Sequence, residues 1–461
     1  MHSYSNQKRQ ATMFRPHVLL TLLFMTVSVF GDDDLAERRL RDQARHFDEK
    51  IVATAENVFT AVGYSVSNVS MVVGKNGVVI IDTGMGLDDA ERIAVEFEKR
   101  TNKPVKAIVF THSHGDHTGG APAFFGAERP QIWAHHNFGS EARAWSAGNL
   151  TIQNRRGARQ AGFQLPPDQR INNGIAPVRY PKRGGGVFSS QTDTTPTHFL
   201  EEERLNVELA GLKFELVDAP GETNDQLFVW FPEGRVLFVG DNFYRSFPNL
   251  YAIRGTPNRS VRLWADSLSK LIDYQAVALV GGHTDPVIGA ENVRQTLVNY
   301  RDAVQFIHDQ TVEGINQGMG PDELATTVKL PKNLAELEYL QPFYGHPEWG
   351  VRSVFNGYLG WFDGNPTHLF PLSPSAEAQR VALLARGIYR LVEVAKQALT
   401  KGDNQWAAQL ADHLLAIDRN HQTAKQIKAE ALDGLARSTV NATARNYYQS
   451  VARELRTART Q

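Results

Sequence analysis

Four side chains that bind metals well stand within six residues: His112, His114, Asp116 and His117. His112 and His114 are two apart, so on an extended strand end they share one side. Gly115 permits a turn, after which Asp116 and His117 can address a second nearby centre. Imidazole and carboxylate ligands suit zinc ahead of iron or manganese. A dinuclear centre needs more ligands than these four. Three further candidates follow apolar runs downstream. Leu212 to Val217 is followed by Asp218-Ala219-Pro220-Gly221-Glu222, Val236 to Gly240 by Asp241, and Ala276 to Val280 by Gly281-Gly282-His283. Each is a strand, a tight turn and one metal-binding side chain.

The elements that must position these groups are legible as strands and helices. Residues 58–84 read as strands: Val62, Tyr64 and Val66 alternate with small residues, Val69 to Gly74 follows, and Val78 to Ile81 is closed by Asp82-Thr83-Gly84. Leu87 to Arg100 reads as a helix, and Val105 to Phe110 is a buried strand leading into His112. Leu227 to Phe231 and Val236 to Gly240 form a hairpin. From Glu377 to Thr457 the chain turns rich in Ala, Leu, Arg, Gln and Lys. Breaks at Gly402-Asp403-Asn404 and Asp418-Arg419-Asn420 give three or four packed helices.

The 461 residues allow two or three domains. Apolar residues make up 42% and charged residues 21%, which permits a large core. There are 49 basic and 50 acidic residues, and this balance disfavours a nucleic-acid binder. The absence of cysteine excludes disulfides, iron–sulfur clusters, thiolate zinc sites, a cysteine nucleophile and a lipoprotein anchor. Lys8, Arg9 and Arg15 precede the apolar run Val18 to Phe30, as in an export signal. We therefore expect a signal peptide over 1–31, a catalytic domain over 32–373 and a helical dimerisation domain over 374–461. A periplasmic or secreted protein with no membrane anchor after cleavage is expected.

The His112-to-His117 motif resembles the signature of the metallo-β-lactamase superfamily. That resemblance implies an α/β fold, an αββα sandwich with a two-zinc site at one edge. His112 and His114 would bind one metal, Asp116, His117 and His283 the other, and Asp241 would bridge them. The first site of most members takes a third His, but no His stands between His198 and His283, and Glu222 takes that place. This substitution resembles the alkyl sulfatase family. The runs Asn249 to Gly255, Tyr300 to Thr311, Leu330-Pro331-Lys332 and Tyr358 to Pro366 are similar to that family's segments. The C-terminal helices resemble its dimerisation domain, which implies a homodimer. The family's dodecyl sulfate hydrolases carry Glu where this chain has Asp241. They also carry a sterol-carrier-like C-terminal domain, which we expect to be missing here.

The resemblance implies hydrolysis of a small anionic sulfate ester to alcohol and sulfate. Arg254 would contact the sulfate, since guanidinium offers paired donors to a tetrahedral oxyanion, and Asn249 would add a neutral donor. His346 is the only His in the segment where the family places a general acid, although a gapless count puts Trp349 at that position. A surface loop His is the alternative. His135-His136 is read as packing near the site, and Arg155, Arg156 and Arg159 as cations over the cleft. Gly184-Gly185-Gly186 lacks the context of a nucleotide site. Asn68, Asn149, Asn258 and Asn441 begin glycosylation sequons. Rival readings are another hydrolase on the same core, or a non-catalytic dimeric metal-binding scaffold.

Overall fold

The strand Val78–Ile81 is apolar and buried at every position, which requires cover on both faces. The cover is a second sheet on one side and helices on the other. The structure, a computed structural model, describes residues 32–148, 150–177 and 194–457. The export segment, the sequon at Asn149 and the glycine triplet at 184–186 lie outside the described residues.

After α1 (Asp32–Gln43), the first sheet runs in chain order. It comprises β1 (Lys50–Ala55), β2 (Val58–Val62), β3 (Val69–Val73), β4 (Val78–Ile81), β5 (Val105–Val109), β6 (Gln131–His135) and β7 (His198–Leu200). Strands β1 to β4 pair antiparallel, and β4 to β7 pair parallel. The second sheet holds β8 (Arg204–Leu209), β9 (Leu212–Asp218), β10 (Leu227–Phe231), β11 (Val236–Phe238), β12 (Ala278–Val280) and β13 (Val287–Ile288). Its spatial order is β13-β12-β11-β10-β9-β8.

Side-chain alternation builds four layers. Val79, Ile81, Ala107 and Val109 turn inward and meet Leu216, Val229 and Phe238 of the second sheet. Ile80 and Ile108 turn outward onto α2 (Leu87–Glu98), through Ala90, Ile93 and Phe97. A short α3 (Gly115–Thr118) follows β5, and α4 (Ser140–Gly148) and α5 (Ile152–Ala161) follow β6. The far face of the second sheet packs on α6 (Val261–Ile272) and α7 (Ala290–Asn316). Trp264, Leu268, Tyr300 and Ile307 fill that layer. The αββα sandwich expected from the sequence is thus present. Then come α8 (Pro321–Thr327), α9 (Lys332–Ala335) and α10 (Pro347–Leu359).

The C-terminal domain has five helices where three or four were expected. They are α11 (Pro374–Leu384), α12 (Ile388–Thr400), α13 (Asn404–Ile417), α14 (Gln422–Ser438) and α15 (Ala442–Thr457). The break between α11 and α12 falls at Arg386-Gly387, with φ of 67° and 114°, so its sequence signal is a single glycine. The alternation of Val62, Tyr64 and Val66 also misleads: β2 stops at Val62, before Gly63 with φ of 74°. No helix among the described residues is long and apolar enough to cross a membrane.

Asn441 pins the start of α15 to the loop before α10. Its Nδ2 donates to the carbonyls of Pro342 (2.8 Å), Tyr344 (3.1 Å) and Gly345 (3.1 Å), while Oδ1 accepts from the Ala444 N–H at the start of α15. Asn68 is likewise buried and donates to the Gly281 and Thr284 carbonyls, so neither sequon presents an open amide. Asn441→Ala removes a helix cap and strands buried carbonyls, so we expect a loss of about 2 kcal/mol. Denaturant unfolding of the intact protein measures it, and a loss within error of zero would refute the pin.

Candidate metal centre

The ends of β4, β5, β9, β11 and β12 converge, and each carries a polar group into the same space. His112 follows β5, and His114 sits at the N-cap of α3, which places Asp116 and His117 in one short turn. Asp241 lies in a 3-10 turn after β11. Trp264 Nε1 donates to the Asn242 carbonyl at 3.3 Å, and Asn242 Nδ2 donates to the Ala219 carbonyl at 2.9 Å, tying this turn to the loop that carries Glu222. His283 follows β12 behind two glycines. A Cβ on Gly282 would lie 2.0 Å from Asp241 Oδ1, so only glycine admits this approach.

All seven ligand candidates from the sequence come together. His112, His117 and Asp241 form one group, Asp116, His117 and His283 a second, and His114, Glu222 and Asp241 a third. Asp241 belongs to two of them. Its Oδ1 lies 3.3 Å from His117 Nε2 and 3.2 Å from His283 Nε2, and its Oδ2 lies 3.8 Å from His112 Nε2. Asp116 Oδ2 lies 3.6 Å from His117 Nε2 and 3.7 Å from His283 Nε2.

The outer partners fix which nitrogen each ring presents. His117 Nδ1 donates to Asp82 Oδ2 at 2.8 Å, and His283 Nδ1 donates to the Val66 carbonyl at 2.7 Å. His112 Nδ1 lies 3.2 Å from Thr111 Oγ1, whose own proton goes to Asp82 Oδ2. The outer partners engage Nδ1 of each of these three rings and so turn the Nε2 atoms inward. His114 is reversed: its Nε2 lies 3.3 Å from Glu141 Oε2, which leaves Nδ1 as the free nitrogen. Histidine ligands are held by such outer acceptors. The Nε2 atoms of His112 and His117 and Oδ1 of Asp241 are buried without a hydrogen-bond partner. Orphaned groups of this chemistry fit a divalent cation.

Electrostatics differ from ring to ring: burial works against charged His117 and His283, yet Asp241, with Asp116 beside both and Asp82 beside His117, outweighs it and holds both above the ordinary imidazole value, so these positions attract positive charge. Burial, with His117 and His114 nearby, holds the His112 pKa well below its ordinary value, so the ring is neutral. Burial works against ionised Asp241, yet His283 and His117 hold its carboxyl well below the usual range. Burial pushes Glu222 up, while Arg259, with Nη1 3.0 Å from Oε1, pulls the other way. Tyr244 donates to Glu222 Oε2 at 3.3 Å.

Arg254 Nη2 lies 3.3 Å from His114 Nε2, and its guanidinium stands 5.3 Å over the Trp145 ring. Asn249 is buried, and its backbone is held by Tyr244 Oη and Arg259, while its Nδ2 has no partner. His346 caps α10, its Nδ1 accepting from the Glu348 N–H at 3.3 Å, and burial lowers its pKa. His135 pairs with Asp218 at 3.1 Å and joins none of the three groups. Arg155 and Arg159 bind Glu454 of α15 and Arg156 binds the Ile253 carbonyl, so they are not free cations over a cleft. The roles of Asp82, Glu141, Tyr244 and Arg259 were not read from the sequence. Asp82 alone left a signal, as the acid that closes an apolar strand.

Two stacked sheets with a His/Asp/Glu cluster at their edge define a metal-site protein of the metallo-beta-lactamase superfamily. The family model of that superfamily matches residues 62–283, and that of alkyl sulfatase dimerisation matches residues 320–458. A linear primary-alkylsulfatase of a Pseudomonas strain is 35% identical over 84% of this chain and 73% of the relative. An alkyl/aryl-sulfatase of Saccharomyces cerevisiae is 31% identical over 87% of this chain and 63% of the relative. A solved stereoselective inverting sec-alkylsulfatase from Pseudomonas superposes with a TM-score of 0.83 at 28% identity, covering 92% of this chain and 68% of the other. The chain belongs to the alkylsulfatase family, and it spans 60 to 73% of the length of the curated relatives it matches.

Asp82→Ala removes the acceptor that orients His117. We expect metal affinity to fall by about 10- to 100-fold, measured by competition with a chromogenic chelator. Unchanged affinity would show that Asp82 serves the fold alone.

Proposed function

We propose that this chain hydrolyses alkyl sulfate esters to an alcohol and inorganic sulfate, using two zinc ions. The observation that carries the reading is a guanidinium, Arg254, against an aggregate of seven ligating side chains, with Glu222 where most of the superfamily has His. His112, His114 and Glu222 would hold one ion, Asp116, His117 and His283 the other, with Asp241 between them. When bound, such ions supply Lewis acidity and hydroxide at neutral pH.

The protein's own groups do the rest. Arg254 binds the sulfate through paired donors, and the unpartnered Asn249 amide adds one more. Glu141 and Asp82 keep two of the rings oriented. To act as an acid His346 must become an imidazolium with protons on both nitrogens, whereas its N-capping bond uses Nδ1 as an acceptor and burial disfavours the charge. The reading therefore gives His346 the capping duty ahead of proton transfer.

We further propose a homodimer. Support comes from exposed apolar side chains inside the segment matched by the dimerisation family: Trp361 (73% exposed), Phe370 (94%), Leu384 (85%) and Tyr389 (91%). Large apolar side chains left this exposed favour burial against a partner. The basic and apolar N-terminal segment supports export to the periplasm or beyond.

Sulfate release from a panel of short to long alkyl sulfates tests the activity. We expect release that a chelator abolishes, and a fall of about 100-fold or more in Arg254→Ala, as removal of one charged oxyanion donor gives. No release from zinc-loaded protein would overturn the reading and direct lactam, lactone and phosphoester panels at the same site. Mass spectrometry of the mature protein tests export, with a new N-terminus expected near Gly31. An intact N-terminus on the exported or periplasmic protein would overturn cleavage.

A further inference from the structure

The helical domain reaches the metal centre through α5. Gln160, near the end of α5, is buried, and its Oε1 accepts the Arg254 backbone N–H at 3.0 Å. Arg156, one turn earlier, donates to the Ile253 carbonyl at 2.6 Å. Both polar atoms of the Ile253–Arg254 peptide thus rest on one helix.

That helix rests in turn on α15. Arg159 makes a two-pronged pair with Glu454, Nε to Oε1 at 2.9 Å and Nη2 to Oε2 at 2.5 Å. Arg155 adds a contact to the same carboxylate at 2.8 Å. Asn446 of α15 is buried and donates to the Gln160 carbonyl at 3.4 Å and the Asn172 carbonyl at 3.1 Å. Gly162 ends α5 at φ of 71°, and a Cβ there would lie 2.9 Å from Asn446 Cγ, so the two helices meet closely. A bidentate guanidinium–carboxylate pair fixes geometry as well as charge. Arg159 and Glu454 are both partly buried, so the pair is less exposed to solvent than an ordinary surface contact.

We propose that Glu454 and Arg159 are positioning residues for Arg254, so that the helical domain sets where the anion-binding guanidinium stands. Neither touches the reacting groups. The inference rests on Arg254 being the sulfate contact, and extends it to a second domain. The long Arg254 side chain has many rotamers, so its placement depends on the backbone from which it starts. Loosening α5 from α15 loosens that origin and leaves the metal ligands in place.

The test uses zinc-loaded Glu454→Gln, Arg159→Gln and Arg254→Ala, with the Glu454→Gln/Arg254→Ala double variant. Hydrogen exchange at the Arg254 amide is read first. We expect it to quicken by about tenfold in either strut variant, the scale of one weakened hydrogen bond. With octyl sulfate as substrate, KM rises by about tenfold and kcat stays within about twofold, short of the roughly 100-fold of a full ångström of misplacement. Zinc content stays unchanged. Adding Glu454→Gln to Arg254→Ala causes no further loss, as for residues acting through one group. Unaltered exchange in both strut variants overturns the proposal, and so does a fully additive double variant. If the unmodified protein does not turn over octyl sulfate, the sulfatase reading fails on that substrate, while the exchange result still decides the strut.

Discussion

One carboxylate organises the edge where the sheets open. Asp82 accepts the Thr111 N–H and Thr111 Oγ1–H, each at 2.8 Å, and the His117 Nδ1–H at 2.8 Å. It thereby joins the end of β4 to the end of β5 and orients one ligand ring directly. A second ring, His112, is held through Thr111. Asp82 itself sits at φ of 56°, a conformation that costs a non-glycine residue about 1–2 kcal/mol. Charge-assisted hydrogen bonds are worth roughly 1.5–3 kcal/mol each, so three of them outweigh that strain. Without this acceptor, His117 Nδ1 and the Thr111 hydroxyl that supports His112 would both lose their partner.

The sequence makes the ligands legible because each follows an apolar run and a tight turn, a local pattern. Glu222 follows the same strand-and-turn pattern, and its place among the ligands is what the alkyl sulfatase resemblance implies. The outer acceptors are a different matter. Glu141 lies on α4, 27 residues beyond the His114 it supports, and nothing in its neighbourhood marks it. Arg259 meets Glu222 only because the loop after β11 folds back over the loop after β9. His135 shows the converse. It follows an apolar strand beside the site, as a ligand would, yet its partner is Asp218, at the end of β9 in the other sheet. Local pattern tells which residues are able to bind a metal, and topology tells which of them face one another.

The C-terminal helices looked like a separate scaffold because their composition differs and they hold no clustered catalytic groups. Their contacts with the sandwich argue otherwise. Asn441 closes the carbonyls around Gly345, and Glu454 and Asn446 grip α5. α1, at the opposite end of the chain, adds Arg39 against Gln341 and Glu37 near Arg445 of α15. These contacts use single polar side chains at wide sequence separation, which no periodicity in the sequence can reveal.

Position 241 carries the shorter of the two acidic side chains, so its backbone must stand close to the cluster. The local structure meets that demand. Gly240 adopts φ of 50°, and a Cβ there would lie 2.6 Å from Thr111 Oγ1. Gly282, on the other side, leaves room for Asp241 Oδ1 where any side chain would collide. The turn after β11 and the turn after β12 are joined by the Gly282 N–H to the Gly240 carbonyl at 2.6 Å. Two glycines and one short backbone bond thus bring Asp241 within reach of His112, His117 and His283 together. The short side chain and the glycine-lined approach make one arrangement, and lengthening the carboxylate without moving that backbone would drive it into the rings it now faces.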